Sequence, residues 1–313
     1  MLKNKRPILI TGSHRSGTTW VGKVISESSD IFYLHEPFSP KIDYWYGADN
    51  HNTQFDHWFT YINQKNEKNY LPQIKKLLKS DYSFWEELRY TKNFKQFLKD
   101  YWRFKKQRRN PKRLLIKDPI ALFSAEWLAK RFNFQVVILV RHPAAFASSL
   151  KRLDWAFDFN EFLNQKELMK NYLVDFRDEI HEFVSNKRNI VKQACLLWRI
   201  FNSIINDYQK KHSDWLFYRY EDIATAPQQK FKEILKKIGL NYTPEIERYI
   251  LDISGEKNPH DYQASGRFPL LPKLDSRKSI NNFRNRLSEK EINLIKKETA
   301  DIWKLFYDES DWL

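Results

Sequence analysis

The chain has 313 residues, of which 42% are hydrophobic and 16% aromatic, so it is long and apolar enough to build a large core and is not a disordered protein. Its 54 Lys and Arg outnumber its 39 Asp and Glu, and the net charge of +15 indicates either an anionic partner or a generally basic surface. No stretch reaches the roughly 18 consecutive apolar residues that a membrane span requires. The single cysteine, Cys195, excludes an intrachain disulfide and suits a cytoplasmic protein.

Short apolar runs alternate with helical patterns along the chain. Strands are predicted at residues 8–11, 113–116, 135–140 and 215–218, with a weaker one at 31–34. Helices are predicted at residues 18–28, 124–132, 143–153, 191–211 and 228–238. This alternation predicts an α/β fold in which a central, mostly parallel β-sheet is flanked by helices in three layers.

Two stretches, residues 41–111 and 154–190, break the alternation and are crowded with aromatic residues and lysines. Neither has a boundary rich in Pro, Gly or Ser. We therefore interpret both as helical insertions into one domain spanning residues 1–313. Insertions at the carboxyl ends of parallel strands usually shape the binding cleft.

The first predicted strand runs through a glycine-containing turn into a helix, the arrangement of a phosphate-binding loop. Gly12 and Gly17 have the spacing of the ATP-binding P-loop, but Thr18 stands where the phosphate-binding lysine belongs. Arg15 supplies the cation instead. The alternative is an ordinary strand–helix turn with Ser and Thr caps, and the addition of Arg15 and Trp20 favours a functional loop.

A user of ATP also needs an acidic residue after a later strand to organise Mg²⁺. Here the strand predicted at 135–140 is followed by Arg141, a cation where the carboxylate would stand. His14, His35 and His142 are scattered without the spacing of metal ligands. The sequence thus predicts an anion site without a metal, which disfavours a nucleotide kinase.

The loop sequence at residues 15–20 resembles the 5′-phosphosulfate-binding loop of sulfotransferases that use 3′-phosphoadenosine 5′-phosphosulfate (PAPS). This resemblance implies a P-loop-like fold, PAPS as the donor and its 3′,5′-bisphosphate, PAP, as the product. It also implies that the loop holds the 5′-phosphosulfate and that its last residue helps to line the adenine pocket. The residues concerned are Arg15, Ser16, Gly17, Thr18, Thr19 and Trp20.

The second anion of this donor, the 3′-phosphate, requires a second cationic site. Arg141 and Ser149, at the spacing Arg-x-Pro followed by Ser, are similar to the family's 3′-phosphate motif, with Ser148 as the competing hydroxyl. A later segment resembles the family's Arg-Lys-Gly sequence that closes over the same phosphate, with Ser in place of Gly. Its residues are Arg277, Lys278 and Ser279. Tyr220, in a Tyr-Glu-Asp segment, is similar to a residue that meets the adenine.

Sulfuryl transfer needs a base for the acceptor proton and cations for the leaving phosphate. Lys117, which follows the strand predicted at 113–116, is the best cation after Arg15. Cytosolic sulfotransferases place a catalytic His where this chain has Pro119. Glu36, followed by proline as in many carbohydrate and protein-tyrosine sulfotransferases, is therefore the expected base, and His35 is its rival.

The acceptor is expected to be a hydroxyl compound, most of all a carbohydrate, with a small alcohol, a phenol or a protein tyrosine as alternatives. Candidate acceptor elements are the aromatic segment at 43–58, which core packing also explains, and the basic run at 105–109, which a solvated loop also explains. A basic nucleic-acid-binding protein is a further alternative. The sequence contains no recognised motif for that function, and one bisphosphate ligand accounts for the paired anion sites.

Overall fold

A computed structural model describes residues 6–40, 54–81, 94–186, 189–261 and 273–312. Five strands form one sheet in which every neighbouring pair is parallel, in the order β2-β3-β1-β4-β5. The strands are β1 (Ile8–Gly12), β2 (Ile31–His35), β3 (Arg113–Lys117), β4 (Gln135–Val140) and β5 (Leu216–Arg219). The five predicted strands are thus confirmed, the last of them beginning one residue later than predicted.

Helices of eight or more residues lie between these strands and after the last of them. In chain order they are α1 (Thr18–Ser26), α2 (Glu67–Leu78), α3 (Phe94–Arg109), α4 (Ala125–Phe132), α5 (Pro143–Arg152), α6 (Arg177–Ser185), α7 (Ile190–Lys211), α8 (Pro227–Lys237), α9 (Pro244–Ser254) and α10 (Glu289–Glu298). Shorter helical segments lie at Asn160–Leu163, Lys166–Asn171, Tyr220–Thr225, Ser276–Ser279 and Ala300–Trp303, and 3₁₀ turns at Pro119–Ser124, Val174–Phe176, Ile280–Asn285 and Glu309–Trp312.

Alternate residues of the buried strands enter two separate hydrophobic clusters, one on each face of the sheet. In β4, Val136, Ile138 and Val140 belong to one cluster, and Val137 and Leu139 belong to the other. This follows from the two-residue side-chain period of a strand, with both faces covered as parallel sheets require. The three-layer, P-loop-like α/β fold is confirmed.

The first cluster contains most of the buried face of α7, and the second contains the large buried apolar residues of α1, α8 and α9. Pro143 begins α5, and the Asn189 side chain accepts a hydrogen bond from the Lys192 N–H at the start of α7. Proline at the first helical position and asparagine at the N-cap are both favoured there.

The predicted insertions contain helices where the structure describes them, α2 and α3 in the first and α6 with short segments in the second. The single-domain boundaries 1–313 stay a prediction. Across the described ranges, no helix combines the length and the apolar character that crossing a membrane would take.

All five strands point their carboxyl ends to one edge of the sheet, where ligands of such folds bind. Each end is followed by a residue that the sequence singled out: Arg15 after β1, Glu36 after β2, Lys117 at the end of β3, Arg141 after β4 and Tyr220 after β5. The topology therefore brings together motifs that lie far apart along the chain.

Candidate active site

The loop between β1 and α1 is tightly folded on itself. The Ser16 N–H and hydroxyl both donate to the Ser13 carbonyl, at 3.3 and 2.6 Å. Arg15 has a φ of 64°, in the left-handed region that costs a residue with a side chain roughly 1–3 kcal/mol. Such conformations persist where the surrounding structure enforces them, and here the conformation fixes the direction of the Arg15 side chain.

Gly17, at the N-cap of α1, has a φ of 89° and lies directly against Tyr220. A Cβ atom at position 17 would come within 2.5 Å of Tyr220 Cδ2, so only glycine permits this approach. The Tyr220 ring also meets Trp20 edge-on, with centroids 5.7 Å apart, and its hydroxyl lies 3.1 Å from the Ser279 hydroxyl. The predicted adenine-side residues Trp20 and Tyr220 thus lie together beside the loop, with Ser279 of the third predicted anion motif next to them.

The first two predicted anion motifs are in direct contact. Arg15 Nε donates to the Ser149 hydroxyl at 2.9 Å, although 134 positions separate the two residues. Arg141 donates to the carbonyl oxygen of Arg15 at 2.7 Å and places its guanidinium 4.6 Å from the centre of the Tyr220 ring. The loop after β1 and the Arg–Ser pair of β4 and α5 therefore form one cationic site.

Several buried polar atoms at this site have no hydrogen-bond partner among the described residues. They are Thr11 Oγ1, Ser13 Oγ, Trp20 Nε1 and Arg141 Nε. Buried polar atoms are normally paired, so unpaired ones in a cluster point to groups that a ligand supplies. Hydroxyl and N–H donors beside Arg15 and Arg141 fit the phosphate and sulfate oxygens of PAPS.

The third predicted motif is placed differently from the first two. Arg277 donates to the Thr225 carbonyl at 2.8 Å and pairs with Glu256, while Lys278 pairs with Asp275 at 3.2 Å. Both cationic side chains are more than 60% exposed. Of the three residues in this motif, only Ser279 lies near the loop, where its hydroxyl meets that of Tyr220.

Glu36 and Lys117 form an ion pair at the ends of β2 and β3. Lys117 Nζ donates to Glu36 Oε1 and lies 3.5 Å from His35 Nε2. The Lys117 side chain is fully buried, whereas that of Glu36 is 23% exposed. Glu36 has a φ of 49°, and its N–H bonds to the Lys117 carbonyl at 2.8 Å, which holds the two residues side by side.

His35 is oriented by its neighbours. Because an ammonium only donates, His35 Nε2 accepts from Lys117, and the proton on Nδ1 is donated to the Tyr33 hydroxyl at 2.8 Å. The side chain of His35 is only 5% exposed. This arrangement favours Glu36 over His35 as the group that reaches an acceptor.

Asp118 connects the two strand ends behind this pair. Its carboxylate oxygens accept from the Phe38 N–H at 2.7 Å and the Ile120 N–H at 2.9 Å, and its own N–H donates to Ile10. Burial and then the charge of Glu36 raise the pKa of Asp118 to about 8, against the two N–H donors. Asp118 therefore acts on the site through backbone positions.

The charges of the site shift one another's pKa values. Burial acts to raise the pKa of Glu36, but the charge of Lys117 and the hydrogen bond that Lys117 donates lower it overall. Burial lowers the pKa of Lys117. Burial and the charges of Arg141 and Arg152 lower that of Arg15 to about 10. At neutral pH, Glu36 is ionised and Arg15 is a cation among charges that are mostly positive.

Two contacts of the loop were not predicted as functional. Arg152 lies three residues after Ser149 on α5, and its charge reaches Arg15; Arg152 and Arg286 both pair with Asp261. His14 is packed among four aromatic rings, and burial, followed by the charge of Arg15, lowers its pKa to about 3. The rings are those of Phe59, Phe146, Trp155 and Phe201. The one-turn spacing from Ser149 was the only sequence signal for Arg152.

The predicted acceptor elements are only partly visible. Residues 43–53 lie outside the described residues. Phe55 is 3% exposed and stacks on Phe38 and Tyr70, so core packing explains it. The basic run at 105–109 forms the last turn of α3, where Arg108 pairs with Asp81.

In the part of the chain that the structure describes, no group of three His, Cys, Asp or Glu side chains is placed to hold a metal ion. The expectation that the reaction needs no metal stays a prediction.

Comparison with known proteins gives the class. The sequence profile of the sulfotransferase family matches residues 7–244, and the chain therefore belongs to the sulfotransferase family. This confirms the enzyme class that the resemblance to PAPS-dependent sulfotransferases implied. A comparison with curated protein sequences finds no significant match.

Among solved structures, the chain is similar to the sulfotransferase domain of the Synechococcus PCC 7002 olefin synthase, at 16% identity over 98% of this chain and 97% of that one, with a TM-score of 0.50. The sulfotransferase domain of the curacin biosynthetic pathway matches at 15% identity over 97% of this chain and 99% of that one, with a TM-score of 0.48. Mouse sulfotransferase SULT7A1 complexed with PAP matches at 12% identity over 99% and 88% of the two chains, with a TM-score of 0.48. At such identities, the first of these likenesses shows the fold alone.

Proposed function

We propose that this enzyme transfers a sulfuryl group from PAPS to an acceptor hydroxyl on a carbohydrate. The observation that carries the proposal is the contact between the two anion motifs, Arg15 with Ser149 and Arg141 with the Arg15 carbonyl. A ligand with two anionic groups a few ångströms apart suits such a site, and PAPS has a 5′-phosphosulfate and a 3′-phosphate. Arg15 and the loop up to Trp20 would hold the first, and Arg141 and Ser149 the second.

The remaining donor contacts are assigned by position. Tyr220 and Trp20 would meet the adenine, and Ser279 joins them through the Tyr220 hydroxyl. Arg277 and Lys278 are proposed as 3′-phosphate ligands from the family motif. Their side chains point to Glu256 and Asp275, so binding the phosphate requires each to exchange one anionic partner for another.

The transfer is a displacement at sulfur. The acceptor oxygen forms a bond to sulfur while the bond from sulfur to the bridging oxygen breaks, and that oxygen keeps the electron pair as the phosphate of PAP. Glu36, ionised and partly exposed, takes the acceptor proton. Lys117 and Arg15 stabilise the negative charge that develops on the bridging oxygen and the leaving phosphate.

A carbohydrate acceptor is proposed because the loop carries arginine at position 15 and because Glu36 is followed by Pro37. A small alcohol, a phenol or a protein tyrosine would use the same base and the same donor site. A cytoplasmic location is proposed from the lone Cys195, whose thiol is buried with a pKa raised by that burial to about 12. Such a thiol is unreactive.

A thermal-shift titration with PAP against ATP–Mg²⁺ tests the donor site. At a ligand concentration of 100 times Kd, binding stabilises a fold by about 2.7 kcal/mol, which corresponds to a Tm increase of several degrees. We expect this shift with PAP and a smaller shift in Arg141→Ala. Stabilisation by ATP–Mg²⁺ alone would overturn the proposal. A radiolabelled-sulfate screen over glycans, phenols and peptides then identifies the acceptor.

A further inference from the structure

One exposed aromatic side chain packs beside the loop between β1 and α1. Trp155 is 38% exposed, and its ring packs against His14, with centroids 5.2 Å apart. His14 directly precedes Arg15, and the charges of Arg15 and Glu36 both act on it. Trp155 therefore packs on the residue that directly precedes the donor-binding arginine.

Other large apolar side chains among the described residues are exposed as well. Phe94, Leu98 and Trp102 belong to α3, and Trp102 packs beside Tyr101 and Lys105. Scattered exposed apolar residues are normal on a protein surface. Trp155 differs because its partner is a residue of the loop that binds the donor.

The backbone holds Trp155 in a fixed position. Asp154 has a φ of 48°, and the Trp155 N–H donates to the Leu150 carbonyl at 3.0 Å, so the chain reverses at the end of α5. The same helix carries Ser149 and Phe146, which contact Arg15 and His14. A ring mounted in this way loses little conformational freedom when a ligand covers it.

A charged residue of the loop surroundings is close to Trp155 along the chain. Arg152, one turn earlier on α5, lies within reach of the charge of Arg15. A flat hydrophobic face beside a few polar groups is the usual composition of a small-molecule site. Aromatic faces bind other rings through stacking and burial.

We propose that Trp155 is the acceptor platform of this enzyme: the ring of a pyranose or aryl acceptor stacks on its indole, which turns the acceptor hydroxyl toward Glu36. This inference rests on the proposed function, and it adds the requirement that the acceptor carry a ring. It also places the acceptor subsite on the turn after α5.

The test uses saturation-transfer NMR on the protein saturated with PAP. The probes are chitotriose as a pyranose, 2-naphthol as an aryl ring and 1-hexanol as an acyclic alcohol. We expect at least one ring probe to bind, and 1-hexanol not to bind. In Trp155→Ala that binding should weaken roughly tenfold, since stacking and burial of one ring are lost. Trp155→Phe should retain most of it.

Trp102→Ala is the matched control, because it also removes an exposed tryptophan and should leave binding unchanged. Calorimetry with PAP on every variant separates the two hypotheses. If PAP does not bind the wild type, the proposed function fails. If PAP binds but neither ring probe binds, or if Trp155→Ala binds them as the wild type does, the platform is wrong.

Discussion

The two halves of the sheet edge, on either side of β1, carry different kinds of residue. On the β2–β3 side, the buried Lys117 and the partly exposed Glu36 form a pair of opposite charges. On the β4–β5 side, Arg141 lies against Tyr220 and the backbone of Arg15, with no carboxylate in these contacts. Since paired charges suit proton and charge transfer, and an arginine held by a carbonyl and a ring suits anion binding, we infer that one half performs the chemistry and the other holds the donor.

The largest expected effect is on the β2–β3 side. Glu36→Gln should keep the shape of the side chain but remove the proton acceptor, and turnover should fall by about 10²–10⁴. Affinity for PAP should stay within a few-fold. Radiolabelled sulfate transfer and calorimetry measure the two quantities. Near-normal turnover would remove Glu36 from its proposed role and return His35 as the base.

On the β4–β5 side, Arg141→Ala should act on donor affinity. Charge-assisted hydrogen bonds contribute about 1.5–3 kcal/mol, so Kd for PAP should rise roughly 10–100-fold. With saturating donor, kcat should change much less. Arg248→Ala is a suitable control, since that arginine is 74% exposed and pairs with Glu245 on α9. An equal loss in kcat and in donor affinity would contradict the division between the two halves.

A smaller effect on the same side distinguishes two adjacent serines. The Ser149 hydroxyl accepts from Arg15, whereas that of Ser148 donates to the Ala145 carbonyl within α5. Ser149→Ala should weaken PAP binding about tenfold, since one hydrogen bond to a charged phosphate contributes about 1.5 kcal/mol. Ser148→Ala should leave it unchanged. Isothermal titration calorimetry with PAP measures both affinities. A larger loss of affinity in Ser148→Ala than in Ser149→Ala would assign the phosphate contact to Ser148.

The smallest effect is a displacement of the pH profile. Glu36 accepts a proton only when ionised, and its pKa lies below the ordinary 4.5, so activity is lost as pH falls through that lower value. At pH 4.5 an ordinary glutamate would be half protonated, and an enzyme that used it as a base would lose about half of its activity. This enzyme should lose a smaller part of its activity at that pH. The burial of Lys117 lowers its pKa from 10.5, which moves the alkaline limb downward. Rates measured where circular dichroism shows intact folding test both limbs.

The sequence predicted the sheet and the loop well because both depend on local pattern. Continuous apolar runs mark strands buried on both faces, and Gly12 with Gly17 marks the turn. The ends of parallel strands meet at one edge, so Glu36 and Lys117 were correctly expected near Arg15. The contacts that join them are not local, and the pairing of Arg15 with Ser149 needed the folded chain.

Other features of the site leave no pattern in the sequence. The directions of Arg277 and Lys278 depend on carboxylates elsewhere, at Glu256 and Asp275. Asp118 works through the amides of Phe38 and Ile120, contacts that residue type alone does not indicate. A lone tryptophan after a helix, as at Trp155, has no periodicity that would distinguish a binding surface from the core.

The conformation of Arg15 has a consequence for engineering this enzyme. Its φ of 64° strains the backbone, and burial with neighbouring cations lowers its pKa. Both effects reduce the stability of the native fold. Arg15→Gly removes the backbone strain and the buried charge. We expect this variant to melt at a higher temperature than the wild type and to lose sulfate transfer. Selection for heat resistance alone would therefore drive this position away from activity, and a thermostable variant is better sought among residues remote from the loop.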